Sequence, residues 1–215
     1  PLTAACRALL SRPFAERDDR WRDGLGRSAA RGLRWTGPRD VHVVLDTSYS
    51  MRGGAKKRNH PLAVGLSVAL RVKAACPGAV VHTTSPAPDL LHLRPRGQSR
   101  LAEPLLDALD ARPELVIVVS DGFENDPPGG TSEVVRLFRE HVDPGGQTAI
   151  VHLNPVFDAT AFMPRPLGAT VPTVGIRDAH DLPEKLAFAR FTLGHLPLSD
   201  LESWLEARFQ EATCA

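Results

Sequence analysis

The stretch Val41-His-Val-Val-Leu45-Asp46-Thr47-Ser48-Tyr49-Ser50 decides the fold. Residues 41–45 form a near-continuous, β-branched apolar run, the pattern of a strand covered on both faces rather than on one. The polar residues that follow at once would lie at the carboxyl end of that strand. Working outward, similar runs recur at 79–83, 90–93, 115–119, 149–153 and 171–176. Helical patterns lie between them, near 61–75, 101–111 and 132–141, with two more near 183–191 and 200–212. The last has a start signal of its own: Ser199-Asp-Leu-Glu202 reads as a capping box, with Leu201, Trp204 and Leu205 as an apolar face. Strands alternating with helices imply right-handed crossovers and an α/β fold with a doubly wound, mainly parallel sheet flanked by helices. Residues 90–93 are expected as one antiparallel edge strand, because the link from 83 is too short for a crossover helix. The Pro/Gly-rich stretches 126–130 and 163–168 read as loops.

At 215 residues the chain has room for one such domain, assigned to 41–215, and a short appendage. Residues 1–40 differ in composition. Nine arginines (7, 12, 17, 20, 22, 27, 31, 34 and 39) face five acids, with helical pieces at 3–11 and 14–24. They read as a basic N-terminal arm, either packed on the domain or closing a preceding one. The whole chain carries a formal charge of only +1, so arguments from charge must be local. Cys6, Cys76 and Cys214 are odd in number and far apart, against a disulfide framework or a cysteine zinc site, and they fit a reducing, cytoplasmic setting. No run approaches the roughly 18–20 apolar residues of a membrane span. The chain opens at Pro1 rather than Met, which fits a fragment or the loss of a signal segment.

In an open parallel sheet, ligands bind beyond the carboxyl ends of the strands near a switch point. Three segments stand out there: Asp46-Thr47-Ser48-Tyr49-Ser50 after the first strand, Ser120-Asp121-Gly122 after 115–119, and Gly97-Gln98-Ser99-Arg100 before the second helix. If the first strand and 115–119 are neighbours, Asp46 and Asp121 emerge side by side. Two carboxylates that close repel each other unless a cation or a proton lies between them. Ser48, Ser50 and Ser99 would add neutral hydroxyl oxygens. An all-oxygen set with few carboxylates suits a hard octahedral cation, Mg²⁺ above all, with Mn²⁺ or Ca²⁺ as substitutes. Each part alone has an ordinary explanation. Asp and Ser are common turn residues, Ser99 could cap the next helix, and Asp-Gly could be a simple strand-ending turn.

Together, Asp46-x-Ser48-x-Ser50, Ser99 and Asp121-Gly122 resemble, in order, the metal ion-dependent adhesion site of von Willebrand factor A (vWA) domains. Gln98 replaces a glycine of that family's second loop, and Ser99 stands where a threonine is usual; the hydroxyl is kept. The resemblance covers residues from about 40 onward. It implies a Rossmann-like fold in which Ser48, Ser50 and Ser99 ligate the ion directly, and Asp46 and Asp121 do so directly or through water. It also implies a non-catalytic role, in which an acidic residue of a protein partner completes the shell of the ion.

From Met51 to Lys73 the chain holds Arg52, Lys56, Lys57, Arg58, Arg71 and Lys73 and no acid. Tyr49, Arg52, Lys56, Lys57 and Arg58 are candidates for contacting an anionic partner beside the metal, with Glu124 on the other side. Two alternatives remain. The phrase Asp-Gly-Phe-Glu-Asn and the basic arm are similar to the vWA portion of Ro-type RNA-binding proteins, with Trp21 and Trp35 as contacts; RNA binding with a steep salt dependence would mark that reading. The other is a Mg²⁺-dependent phosphoester hydrolase, although Ser48 stands where an aspartyl-nucleophile phosphatase would want a second carboxylate. Gly24-Leu-Gly26-Arg-Ser-Ala29 lacks the preceding strand of a dinucleotide site. His42, His82, His92 and His152 read as core or edge residues.

Overall fold

The computed structural model describes residues 1–32, 35, 37–157 and 163–213. Five strands form one sheet: β1 (Val41–Leu45), β2 (Val80–Thr83), β3 (Leu115–Val119), β4 (Ala149–Asn154) and β5 (Thr173–Gly175). Their spatial order is β2-β1-β3-β4-β5, and every pairing is parallel. Seven α-helices surround the sheet among the described residues: α1 (Leu2–Leu10), α2 (Asp19–Ala30), α3 (His60–Ala75), α4 (Ala102–Asp110), α5 (Gly130–His141), α6 (Leu182–Thr192) and α7 (Leu198–Thr213). The architecture is therefore α/β and doubly wound. None of these helices is long and apolar enough to cross a membrane.

The two-residue side-chain period of the strands sorts the core into two layers. Val41, Val43 and Leu45, with Leu115, Ile117 and Val119, lie on the side of α3 and α6, in a core cluster that α1 and α2 extend beyond α3. Val44, Val116, Val118 and Ile150 face α4 and α5. Both faces are covered, so β1 and β3 are buried at every position. The chain leaves β1 toward β2 on one side and returns to β3 on the other. The direction of winding thus reverses between β1 and β3, and their carboxyl ends border the switch-point crevice.

The arm folds onto this body. Helix α3 is apolar nearly all round, with Leu62, Ala63, Val64, Leu66, Val68, Ala69 and Val72 fully buried. Such a helix needs cover on the side away from the sheet. Leu2, Cys6, Leu9 and Leu10 of α1 supply it, within the same core cluster. Thr3 Oγ1 meets Ser67 Oγ at 3.1 Å and accepts from the Ala179 amide at 3.2 Å. Leu9 is fully buried. Leu9→Ala is expected to cost about 3 kcal/mol of unfolding free energy in denaturant titration; a loss under about 0.5 kcal/mol would mean a loosely attached arm.

Two expectations are corrected. Residues 90–93 are not an antiparallel edge strand. Leu90–His92 is a 3-10 turn in which Asp89 Oδ1 accepts from the amides of Leu91 (2.9 Å) and His92 (3.2 Å). Local carboxylate bonding and prolines 86 and 88, which lack the amide a ladder needs, disfavour a strand there. The buried Arg17 guanidinium holds the carbonyls of Leu91 and Leu93, each at 2.8 Å. The final helix begins at Leu198, so Ser199 lies inside its first turn rather than at its cap. The side chains of Leu201, Trp204 and Leu205, together with Arg34 and Cys214, lie outside the described residues. Cys6 and Cys76 are free and buried.

Candidate metal centre

Parallel pairing sets Leu45 beside Val119, and the Asp46 amide extends the ladder by donating to Val119 O at 2.9 Å. Asp46 and Ser120 thus leave the sheet side by side, with Asp121 one residue on. The loop after β1 folds tightly on its own aspartate. Asp46 Oδ1 accepts from the Ser48 amide (2.8 Å) and the Thr84 hydroxyl (3.4 Å). Thr84 Oγ1 in turn accepts from the Thr47 amide at 2.8 Å. Ser48 Oγ and Ser50 Oγ stand 3.0 Å apart, Ser48 buried and Ser50 exposed.

The second loop is turned back by paired side-chain acceptors. Ser120 Oγ accepts from the Gly122 amide at 2.9 Å, and Asp121 Oδ1 from the Phe123 amide at 3.0 Å. Gly122 has φ +76°, and a Cβ there would meet the Arg165 carbonyl oxygen at 2.7 Å. Asn154, at the end of β4, clamps this loop from behind: Nδ2 donates to Asp121 O and to Arg165 O, each at 3.0 Å. His152 Nε2 lies 3.0 Å from Ser120 O, and its Nδ1 is 3.0 Å from Thr173 Oγ1. Gly122→Ala is expected to cost roughly 2 kcal/mol, read from the denaturation midpoint, because it combines an unfavourable φ with a backbone clash. An unchanged midpoint would mean that the turn yields.

The third segment joins both others. The Arg96 amide donates to Thr47 O (2.8 Å), the Tyr49 amide to Gly97 O (3.0 Å), and the Asn125 amide to Ser99 O (3.5 Å). Ser99 is buried, and it does not cap the helix after it: α4 is entered through Leu101 with no side-chain cap. Its hydroxyl has no hydrogen-bond partner. Nor has Asp46 Oδ2, on a residue with no exposed surface. Buried polar atoms are rarely left unpaired, so each asks for a missing partner. Burial above all, with the charge of Asp121 adding to it, pushes the Asp46 carboxyl up to about 6, against the Ser48 amide and the Ser48 and Ser120 hydroxyls, which pull it down.

The structure thus brings Asp46, Ser48, Ser50, Ser99 and Asp121 together at one end of the sheet, on three mutually bonded loops. No three His, Cys, Asp or Glu side chains converge among the described residues. The donor set here is two carboxylates with hydroxyls, all oxygen, which fits a hard cation and not a thiophilic one.

Around the rim, Tyr49 is exposed, and Arg52 Nη1 donates to its hydroxyl at 2.6 Å. Lys56, Lys57 and Arg58 are exposed beside it. Glu124, half-buried on the other side, is engaged within the chain. Its carboxylate accepts from the Thr131 amide at 2.8 and 3.0 Å and from the Thr131 hydroxyl, holding the first turn of α5. Thr84, Ser120, His152 and Asn154 buttress the site and were not singled out as such from the sequence. Thr84, Ser120 and Asn154 lie at or just past strand ends, so inspecting the exit of every strand would have found them. The chain matches no protein-family model, no curated protein and no solved structure.

Proposed function

We propose that this chain is a vWA-type, divalent-cation-dependent protein-binding module. Asp46, Ser48, Ser50, Ser99 and Asp121 would hold Mg²⁺, with Mn²⁺ or Ca²⁺ as substitutes. The observation that carries this reading is the pair of orphaned buried oxygens, Asp46 Oδ2 and Ser99 Oγ, on two different loops at the switch point. A cation within reach of both would satisfy them and offset the repulsion between Asp46 and Asp121. Mg²⁺ bound there supplies a positive centre that a carboxylate from a partner can complete. Ser50, exposed at the lip of the site, keeps that approach open. Asp46 and the two loops behind it hold the donors in place before the partner arrives.

Binding suits the site better than hydrolysis. His152, the imidazole built in behind Ser120, is buried with both nitrogens engaged and is not placed to take a proton from water. RNA binding has less aromatic surface to use, because Trp21 and Trp35 are half-buried against the core and Trp35 Nε1 donates to Pro38 O at 2.9 Å.

Thermal melting tests the reading. Saturating Mg²⁺ at about a hundred times its dissociation constant adds roughly 2.7 kcal/mol, a rise of roughly 5–10 °C for a chain of this size. The Asp46→Ala/Ser48→Ala variant is expected to lose that response. A wild type whose melting temperature ignores Mg²⁺, Mn²⁺ and Ca²⁺ alike would end the proposal.

A further inference from the structure

Beside Ser50, the outer face of the same loop opens into a hollow of about 500 Å³. Tyr49, Ser50, Arg52, Gly53, Gly54, Ala55 and Arg58 line it, so one of the proposed metal-binding hydroxyls is also part of its wall. The hollow is lined by two arginines and by no acid. No acid occurs between Met51 and Lys73. Among the described residues no ion pair engages Arg52, Lys56, Lys57 or Arg58. Arg52 donates one hydrogen bond to Tyr49 and lies 5.5 Å from the centre of its ring, which leaves the other guanidinium donors free to face the hollow.

The loop is also held in shape, which distinguishes it from a solvated surface segment. Arg7 of α1 donates from Nε to Arg58 O at 3.0 Å and from Nη2 to Lys56 O at 3.3 Å. The Asn59 amide donates to Arg52 O at 2.6 Å, and Asn59 Nδ2 to Leu10 O at 3.2 Å. The arm thus fixes the backbone that carries Arg52 and Arg58. A held backbone presents guanidinium donors to a carboxylate at a smaller entropic cost than a mobile one, because only side-chain freedom is lost on binding.

We propose that this hollow is a second anion subsite, and that the segment bound at the metal carries two acidic side chains. One completes the shell of the ion. The other enters between Arg52 and Arg58, with the intervening chain lying along Tyr49. The occupant is an acidic peptide segment of a protein partner. This inference rests on the metal-binding reading above.

Titration followed by NMR amide shifts, with the whole chain and Mg²⁺, tests it. The probes are acetylated, amidated peptides containing Glu-Glu, Glu-Gly-Glu or Glu-Gly-Gly-Glu, each compared with its counterpart in which one Glu is Gln. At least one diacid is expected to bind about tenfold more tightly than its counterpart. Arg58→Ala and Arg52→Ala are expected to erase that advantage while leaving the Mg²⁺ melting shift intact. If the Mg²⁺ shift is present but no diacid advantage appears, or the arginine variants keep it, the subsite is refuted and the metal reading stands. If the wild type shows no Mg²⁺ shift, the metal reading fails and this inference with it. Tighter binding of a single-stranded oligonucleotide than of any diacid would also overturn it.

Discussion

Asp46→Asn is expected to make the protein more stable, not less, when divalent cations are absent. At neutral pH the gain is about 3 kcal/mol, together with complete loss of the response to Mg²⁺. Asparagine keeps the shape and the acceptor that Asp46 Oδ1 offers to the Ser48 amide. It removes a charge from a residue with no exposed surface, close to the charge of Asp121. The sign follows from the shift. Burial raises the folded carboxyl from 3.8 to about 6, so the folded state holds its proton more tightly than the unfolded chain. That linkage costs nothing below about pH 4, grows as pH rises, and is complete above about pH 6. The difference in stability between variant and wild type should therefore be near zero at low pH and level off above pH 6.

His152 gives the same experiment a second signature. Burial lowers its imidazole from 6.5 to about 4, so the unfolded chain takes up the proton first and stability falls as pH drops from about 6.5 to 4. In the wild type this opposes the Asp46 linkage over nearly the same interval, and the two largely cancel. In Asp46→Asn only the histidine linkage of the pair remains. Acid denaturation of the variant should steepen by about 3 kcal/mol across that window. Denaturant melts at several pH values with EDTA read both effects. If Asp46→Asn is the less stable protein at pH 7 under those conditions, the buried carboxylate is not a strained ligand waiting for a cation.

The sequence carried the centre of the molecule more clearly than its borders. The runs at 41–45 and 115–119 are short, nearly continuous and rich in β-branched residues, the pattern of a strand buried on both faces. Once they were strands, the exit rule for parallel sheets pointed to Asp46 and Asp121. Residues 90–93 misled because Leu91 and Leu93 are indeed buried, but in a turn organised by Asp89 and by the guanidinium of Arg17, which comes from far away in the chain. Apolarity reports burial; it does not report who supplies the hydrogen bonds. The arm shows the complementary case. Residues 1–40 left their own attachment open; what requires it is α3, a helix apolar nearly all round that needs cover on the side away from the sheet as well. The supports of the site were the least legible, because the partners of Asn154 come from two loops, and their meeting is a property of the closed fold.

Asn154 supplies the last and most discriminating test. It is fully buried; Oδ1 accepts from the Val156 amide at 2.7 Å while Nδ2 bridges the carbonyls of Asp121 and Arg165. Asn154→Ala removes all three bonds and leaves one amide and two carbonyls without these partners. The expected loss is about 3 kcal/mol of stability. Because one of those carbonyls belongs to Asp121, the variant should also weaken Mg²⁺ binding by roughly tenfold or more, the usual effect of removing a group that orients a ligand. Destabilisation alone could mimic the first result but not the second. Leu9→Ala, with a similar expected loss and a side chain that makes no hydrogen bond to Asp46, Ser99 or Asp121, provides the comparison. Isothermal titration of Mg²⁺ into both folded variants should find Leu9→Ala close to wild type and Asn154→Ala weakened. Equal affinities would reduce Asn154 to a core residue, and the position of Asp121 would then be set by its own turn at Ser120 and Gly122.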